Sequence, residues 1–177
     1  MDINITQRIV RNFIIFSALF LSLPLYFYCG SKQSTKWHYI MQTFYLPSWL
    51  KGKKGPPKNF TGIWYKWYRN GDLYKEAGYK DGQKYGRHLY FGKLKKVELF
   101  SLFKNNVPIG EWIYYDENGL IDKTDVYQEG VLRKSFSNYD TSGYCQKCLN
   151  YDSNYYLISE VTYKLGKEVS KKDFKPN

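Results

Sequence analysis

The longest apolar run in the chain extends from Phe13 to Gly30 and contains no charged residue. Arg8 and Arg11 precede this run. A short basic segment followed by an uncharged apolar run is typical of a cleaved secretory signal and also of a membrane-spanning helix. Pro24 lies late in the run, which suits the end of a signal core better than the middle of a permanent helix. Residues 1–30 are therefore predicted to be a signal peptide or a membrane anchor, and the pattern leaves both fates open.

Cys29 lies at the end of this run and is a candidate for lipidation. The segment "LPLYFYCGS" resembles the end of a bacterial lipoprotein signal, in which an apolar core leads to a Cys that becomes the lipidated first residue. The segment departs from that pattern at Tyr28, where a small residue is usual, and at Tyr26, where Leu is usual. The alternative is that Cys29 is a buried residue of an uncleaved anchor.

Residues 31–58 form an aromatic segment followed by a basic one. Trp37–Leu50 is rich in aromatic residues, and Lys51, Lys53, Lys54 and Lys58 follow it. Trp and Tyr prefer the membrane interface, and clustered Lys residues are attracted to anionic headgroups by about 1 kcal/mol each. The pattern is equally compatible with two interpretations, the first of which is a juxtamembrane linker that contacts anionic lipid. The alternative is a strand or cap that packs on the end of the following domain.

From residue 59 onwards, the same residue types recur every 24 residues, which predicts internal repeats. The positions with this spacing are Gly62, Gly86 and Gly110; Trp64, His88, Trp112 and Phe136; and Tyr79, Phe103 and Tyr127. The repeats lie near residues 62–85, 86–109, 110–133 and 134–169. The last one contains a 12-residue insertion at 144–155, which we interpret as a loop or an extra hairpin.

Each repeat has the pattern of two short strands and two tight turns. In the first repeat, Asn70-Gly71 and Asp81-Gly82 mark the turns, because Gly adopts the positive φ of a type I′ hairpin turn without steric cost. One hairpin cannot bury its aromatic side chains alone, but stacked hairpins share one apolar face. The prediction is an all-β fold: an elongated antiparallel meander of about four hairpin repeats over residues 59–177, preceded by an N-terminal hydrophobic helix.

The repeat pattern resembles a known family. "GIWYKWYRNGDL" at residues 62–73 is followed by Tyr79-Lys80-Asp81-Gly82, and "GEWIYYDENGLI" at residues 110–121 is a close copy. These motifs resemble the MORN-repeat variant of bacterial proteins, many of which are labelled antitoxin-like. The resemblance covers about residues 59–169, and the second repeat departs most from it. It implies a single-layer, curved β-meander with a binding or scaffolding role and no catalytic residues.

Composition supports a β fold and limits the partners. Aromatic residues make up 20% of the chain, and they favour strands. The net charge of +11 is uneven, because residues 1–58 hold eight Lys or Arg against one acid, whereas the rest holds 19 basic and 15 acidic side chains. The basic excess belongs mainly to the N-terminal segment. We therefore predict no nucleic-acid partner for the repeat domain.

Cys145-Gln-Lys-Cys148 in the insertion is the one recognisable chemical motif of the sequence. A redox site would need this motif at a helix N-terminus, and a zinc site would need further ligands, for which only His38 and His88 are available. A disulfide between the two cysteines in an oxidising compartment is favoured, with two free thiols as the alternative. The sequence has no hydrolase or phosphate-loop motif. We predict no enzymatic activity, no metal site and no cofactor.

Aromatic residues of the repeats are the candidates for a binding face, because large rigid rings are effective contact anchors. These residues are Trp64, Trp67, Tyr68, Tyr90, Trp112, Tyr114 and Tyr115. The alternative is that they only build the core of the sheet. The expected function is a non-enzymatic binding or scaffolding module, membrane-anchored or exported, at a bacterial cell envelope, with an unidentified protein partner. The alternative function is an antitoxin or immunity-type protein that neutralises a toxin by direct binding.

Overall fold

The computed structural model describes residues 3–51 and 55–174, without the side chains of residues 3 and 4. The chain divides into two compact units. The first unit comprises Met1–Lys53 and Trp67–Gly71, and the second comprises Lys54–Lys66 and Asp72–Asn177. The domain boundaries expected at residues 30 and 58 stay predictions.

The N-terminal helix α1 spans Ile3–Tyr28. Its segment Ile5–Tyr28 has 24 residues and a mean hydropathy of 1.7, and its most apolar stretch is not buried. By length and composition this helix could cross a membrane, although a signal sequence near the N-terminus has the same properties. The helix continues through Pro24, and the Cys29 N–H donates to the Leu25 carbonyl at 2.9 Å. Proline therefore does not end the apolar helix here.

The aromatic segment after α1 is helical, so the strand suggested as an alternative is not formed. Helix α2 spans Lys36–Ile40 and continues as one π-helical turn over Met41–Tyr45. Thr35 precedes α2, and its hydroxyl accepts a hydrogen bond from the His38 N–H at 3.3 Å. A 3₁₀ turn follows at Ser48–Leu50.

Side chains of this helical segment form a small core in the first compact unit. His38, Tyr39 and Ile40 are buried. The Tyr39 ring lies edge-on to Trp67, with 5.2 Å between the centroids. Arg69 Nε donates to the Tyr45 hydroxyl at 3.1 Å. Tyr39 and Tyr45 of this segment therefore contact Trp67 at the end of β1 and Arg69 in the turn that follows it.

Ten strands form one antiparallel sheet in which each strand hydrogen-bonds to the next one along the chain. The strands are β1 Gly62–Trp67, β2 Leu73–Lys80, β3 Gln83–Phe91, β4 Val97–Lys104, β5 Val107–Tyr115, β6 Ile121–Gln128, β7 Val131–Tyr139, β8 Cys145–Tyr151, β9 Leu157–Lys164 and β10 Lys167–Asp173. This order confirms the predicted all-β meander preceded by an apolar helix.

Four connections between strands are two-residue turns in which both residues have positive φ. They are Asp81-Gly82, Asn105-Asn106, Glu129-Gly130 and Leu165-Gly166. Two successive positive φ angles define the type I′ turn, whose twist matches that of paired strands. The first three of these turns are 24 residues apart, so the sequence period corresponds to one hairpin plus one connection.

The other connections are five-residue turns, and three of them begin with Asp. The Asp116 carboxylate accepts hydrogen bonds from the backbone N–H of Asn118 at 2.9 Å and of Leu120 at 2.8 Å. Asp140 and Asp152 make the same two bonds to the residues two and four positions later. An Asx-type interaction of this kind fixes a turn locally.

The 12-residue insertion adds one strand and one turn, and is neither a loop nor a complete hairpin. It contributes β8 and most of the turn that begins at Asp152. That turn repeats the Asp140 turn 12 residues earlier. The result is ten strands, which is more than four hairpin repeats would supply.

The fourth repeat places its side chains on the opposite face from the other three. Asp125 on β6 is paired with Trp112 on β5 and with Ser135 on β7, so these three side chains share one face. Phe136 follows Ser135 and is paired with Cys148, so it lies on the other face. The expectation that Phe136 fills the slot of Trp64 on one shared apolar face is therefore wrong.

A β-bulge causes this change of face. The pairing of β6 with β7 shifts by one residue between Val126 and Tyr127. Because side chains alternate along a strand, a slip of one residue moves every following side chain to the other face of the sheet. The bulge that interrupts the pairing of β2 with β3 shifts the register by two residues, which preserves the face.

Gly82→Ala is expected to destabilise the sheet by about 3 kcal/mol, against about 1 kcal/mol for Gly119→Ala. Both glycines have positive φ, so alanine is strained at each position. At Gly82 a Cβ would also collide with the backbone carbonyl of Lys58, whereas at Gly119 it meets nothing within 4 Å. Urea unfolding of the two variants measures the difference. Equal losses would contradict the collision.

Candidate functional site

Aromatic rings on one face of the sheet, from the start of β1 to β6, form a continuous row. We call this face the aromatic face. In the order in which the rings contact one another, the row consists of Trp64, Phe60, Tyr79, His88, Phe103, Trp112 and Tyr127. Successive ring centroids are 4.6 to 6.3 Å apart, in edge-on or tilted arrangements that are favourable for aromatic pairs. These rings stabilise neighbouring strands against one another.

His88 lies in the middle of this row and is fully buried. Its Nε2 is 2.8 Å from the Gly78 carbonyl oxygen, which can only accept, so Nε2 carries the proton. Nδ1 is buried and has no hydrogen-bond partner among the described residues. Burial, together with the smaller effects of the Lys75 and Lys84 charges, lowers the pKa of His88 to about 4, although the hydrogen bond to Gly78 opposes this shift. The imidazole is therefore neutral at pH 7.

Three lysines lie beside the aromatic row on the same face. They are Lys66 on β1, Lys75 on β2 and Lys84 on β3, and we call them the lysine cluster. Lys75 is 8% exposed, and its ammonium donates to the Tyr90 hydroxyl at 2.5 Å. The Lys84 ammonium is 4.7 Å from the centroid of the Phe103 ring. The cluster therefore combines ammonium groups with aromatic rings and one phenol.

The lysines of the cluster destabilise one another's charges. Burial lowers the pKa of Lys75 to about 8, and the charge of Lys84 contributes to the shift. Burial also lowers the pKa of Lys66, with smaller effects from Lys75 and Lys84. Over residues 3–51 and 55–174, no carboxylate forms an ion pair with any of the three. A partly buried positive charge without a counter-charge is unfavourable.

The acidic residues near the cluster are directed elsewhere. Glu76 is adjacent to Lys75 on β2 and therefore points to the opposite face, where it pairs with Arg87 at 3.0 Å. Glu98 is the extra residue of a bulge between β3 and β4, and its side chain lies against Gly92, beyond Tyr90, where it forms no ion pair with the cluster among the described residues. Further along the aromatic face, Lys123 pairs with Asp125 at 2.8 Å. The β1–β4 part of this face thus has an unbalanced positive charge.

Four of the seven predicted binding-face residues lie on the aromatic face. These four are Trp64, Tyr90, Trp112 and Tyr114. Trp67 and Tyr68 belong to the first compact unit. Tyr115 follows Tyr114 on β5, so it lies on the opposite face. Trp64 and Trp112 contribute to the aromatic row, whereas Tyr90 contacts the lysine cluster.

The predicted disulfide between Cys145 and Cys148 is not formed, and both cysteines are free thiols. Both lie on β8, and three residues along a strand span about 10 Å, which exceeds the separation of about 7 Å that a disulfide tolerates. Cys148 is buried opposite Phe136 and Val161, and burial raises the pKa of its thiol. Cys148 is therefore a residue of the sheet's core.

Two lysines in the turn of the second repeat, Lys95 and Lys96, connect this turn to its neighbours. Lys95 occupies the position of the turn glycine and has φ of 62°. Its ammonium pairs with Asp72 in the preceding turn at 2.9 Å. Lys96 donates to the carbonyls of Glu117 and Asn118 in the following turn, at 3.0 and 3.2 Å. The departure of this repeat from the pattern therefore has a structural role.

The remaining candidate residues are N-terminal to the sheet. Cys29, Lys51 and Lys58 are exposed, and Lys53 and Lys54 lie outside the described residues. In the part of the chain that the structure describes, no group of three or more His, Cys, Asp or Glu residues could hold a metal ion.

Sequence reasoning did not identify the lysine cluster, although a signal was present. Lys75 and Lys123 occupy the same position in the first and third repeats, but two residues later Ala77 stands where the third repeat has Asp125. A comparison of charges at equivalent positions of the repeats would have shown that Lys75 lacks the aspartate that accompanies Lys123.

Comparisons with known proteins leave the family open. No family model matches the chain, and no curated protein matches it. Among solved structures, a chain in the "Crystal structure of accessory secretory protein 1,2 and 3 in Streptococcus pneumoniae" is similar, with a TM-score of 0.39 and 11% identity. The match covers 71% of this chain and 24% of that chain.

Proposed function

We propose that this protein is a non-enzymatic, membrane-associated binding module of a cell envelope. In this proposal α1 holds the chain at a membrane, and the repeat sheet supplies the surface that binds a partner. The role is the one implied by the resemblance of residues 59–169 to MORN repeats.

Helix α1 is the observation that carries the proposal. Its 24-residue apolar segment is long enough to span a hydrocarbon core, and its most apolar stretch is not buried by the rest of the chain. Its exposed side chains include Phe13, Phe16 and Phe20, which are 71–80% exposed. Apolar side chains this exposed in water are unfavourable by roughly 1.5 to 3 kcal/mol each, whereas a bilayer removes this cost.

The form of the sheet supports the binding half of the proposal. A single-layer meander offers two faces, and one of them carries aromatic rings beside the lysine cluster, which forms no ion pair with the described carboxylates. Aromatic side chains with adjacent cationic groups are typical of binding hot spots. Tyr90 and Tyr114 are both only partly buried, so their rings remain accessible on this face.

Membrane fractionation tests the anchor. The full chain with a C-terminal tag is expected to stay in the membrane fraction after an alkaline carbonate wash, whereas a chain lacking residues 1–30 is expected in the supernatant. Mass spectrometry of the N-terminus then distinguishes the forms of attachment: an intact Met1 indicates a spanning helix, and a lipid-modified Cys29 indicates a lipoprotein. A full chain recovered only from the soluble fraction contradicts the proposal.

Site-specific photo-crosslinking on the same tagged chain tests the binding face. A photoreactive residue at Leu99 reports on the aromatic face, and one at Phe100 reports on the opposite face of the same strand. We expect a discrete crosslinked product from Leu99 in intact cells and none from Phe100. Equal products from both positions would indicate random collision instead of a binding face.

A further inference from the structure

The lysine cluster differs from its counterpart in the third repeat by the loss of one carboxylate. Lys75 and Lys123 are 48 residues apart and occupy equivalent positions. Asp125 pairs with Lys123 at 2.8 Å, but the equivalent residue in the first repeat is Ala77, which is 1% exposed. The first repeat therefore retains the lysine and lacks the group that neutralises it.

Among the described residues, no carboxylate forms an ion pair with Lys75. The side chains that surround Lys75 on the aromatic face of β2, β3 and β4 include Ala77, His88, Tyr90 and Ser101, and none is acidic. The Tyr90 hydroxyl accepts a hydrogen bond from Lys75 but adds no negative charge. Since a nearby counter-charge stabilises a buried ammonium, an anion from outside the chain would stabilise this arrangement.

We propose that the lysine cluster binds a phosphate-type dianion, as free phosphate or as a phosphate monoester. Lys66, Lys75 and Lys84 provide ammonium donors on three adjacent strands, and the Tyr90 O–H provides a fourth donor. This assignment rests on the proposed function, because it specifies a ligand class for the binding face described there.

The number and type of cations favour phosphate over a carboxylate. Carboxylates are best matched by the two parallel N–H donors of arginine, and no arginine belongs to the cluster. Lysines act as point charges with freely directed donors, which suits the several oxygens of a phosphate. A dianion also neutralises more of the three positive charges than a monoanion does.

The lowered pKa values of Lys66 and Lys75 agree with this assignment. Burial and the neighbouring lysines, rather than any bound group, produce these shifts. A bound anion opposes both effects because it favours the charged form of each lysine.

Thermal unfolding of the full chain in detergent tests the proposal. The probe is inorganic phosphate, compared with chloride at the same ionic strength. We expect a saturable rise in Tm for the wild-type chain, because a ligand that binds only the folded state stabilises it. Lys75→Leu is expected to weaken the apparent phosphate affinity at least tenfold, since a charged hydrogen bond is lost. Lys84→Leu provides a second variant with the same expected direction.

Lys147→Leu is the matched control. Lys147 lies on the same face of the sheet, but its ammonium already pairs with Glu160 at 3.1 Å. The substitution removes the same charge, and the phosphate affinity is expected to change less than twofold. A wild-type chain without a saturable response would overturn the proposal, as would equal weakening by Lys75→Leu and Lys147→Leu.

Two further arms separate the sources of the phosphate. Glycerol phosphate represents a soluble monoester, and detergent micelles doped with a phosphate-monoester lipid represent a membrane headgroup. A response to either one that Lys75→Leu weakens supports the site and identifies the source. Because all measurements are made in detergent solution, a negative result leaves the membrane fractionation result unaffected, and the two proposals can fail separately.

Discussion

Lys75→Leu is expected to raise the free energy of unfolding at pH 7 by about 2 kcal/mol in the absence of phosphate. Lys75 is 8% exposed and its pKa is about 8 instead of 10.5. A lowering of this size corresponds to about 3 kcal/mol of destabilisation by the protonated side chain. Loss of the hydrogen bond to Tyr90 offsets about 1 kcal/mol of the gain. Leu is the residue of the second repeat at this position, Leu99.

The pH dependence identifies the cause of this gain. The folded pKa of Lys75 is below its unfolded value, so the unfolded chain binds more protons between pH 8 and 10.5. Wild-type stability therefore rises with pH in that window as the folded chain releases its proton. The advantage of Lys75→Leu is expected to be complete below pH 8 and to disappear as the pH approaches 10.5. Urea unfolding at several pH values, followed by tryptophan fluorescence, measures this difference.

Lys123→Leu is the control, and its effect is expected to have the opposite sign. Lys123 is the equivalent residue of the third repeat, but it pairs with Asp125, whose side chain is 3% exposed. Removing one member of such a pair leaves a buried carboxylate without a counter-charge, which costs about 3 kcal/mol or more. If both substitutions change stability in the same direction, the lysine of the first repeat is not an uncompensated charge.

His88→Gln is expected to remove a large acid sensitivity of the sheet. The wild-type chain should lose about 3 kcal/mol of stability between pH 6.5 and pH 4, because the pKa of His88 is about 4 in the folded chain and 6.5 when unfolded. Gln retains an N–H that can donate to the Gly78 carbonyl, and it does not titrate. Urea unfolding at pH 7, 5.5 and 4.5 compares the two proteins.

The sign of this effect follows from burial. Burial disfavours the charged imidazole, so between pH 4 and 6.5 the unfolded chain binds the proton and the folded chain does not. Stability is therefore complete above about pH 6.5 and falls as the pH decreases towards 4. The charged groups beside His88 are Lys75 and Lys84, and lysines do not titrate in this window.

Subtraction isolates the contribution of His88 from that of the carboxylates. Asp and Glu residues elsewhere titrate equally in the wild-type chain and in His88→Gln, so the difference between the two stability curves reports His88 alone. A difference that does not change from pH 7 to pH 4.5 would show that His88 is accessible to protons in the folded chain.

The regular features of this fold were predictable because they depend on local chemistry. The Asp81-Gly82 turn needs two residues that accept positive φ, and this requirement is visible in the dipeptide itself. The 24-residue period then predicts stacked hairpins, and α1 follows from one uncharged apolar run. Each of these inferences uses residues that are close together in the sequence.

The incorrect predictions involve relations between strands. Phe136 keeps its place in the sequence period, but one bulge in the pairing of β6 with β7 moves it to the opposite face. Cys145 and Cys148 have a spacing that occurs in many disulfides, but an extended strand separates them by about 10 Å. Periodicity and spacing are properties of one strand, whereas register and distance depend on how two strands pair.

The sequence by itself therefore determined the apolar helix, the hairpin turns and the order of the strands, because these depend on short-range backbone preferences and hydrophobic pattern. Only the tertiary structure decided which side chains meet. It brings Lys66, Lys75 and Lys84 from three strands to one face and leaves Glu76 on the other. The physical reason is that burial and counter-charge are set by neighbours across the sheet, and a linear sequence does not specify those neighbours.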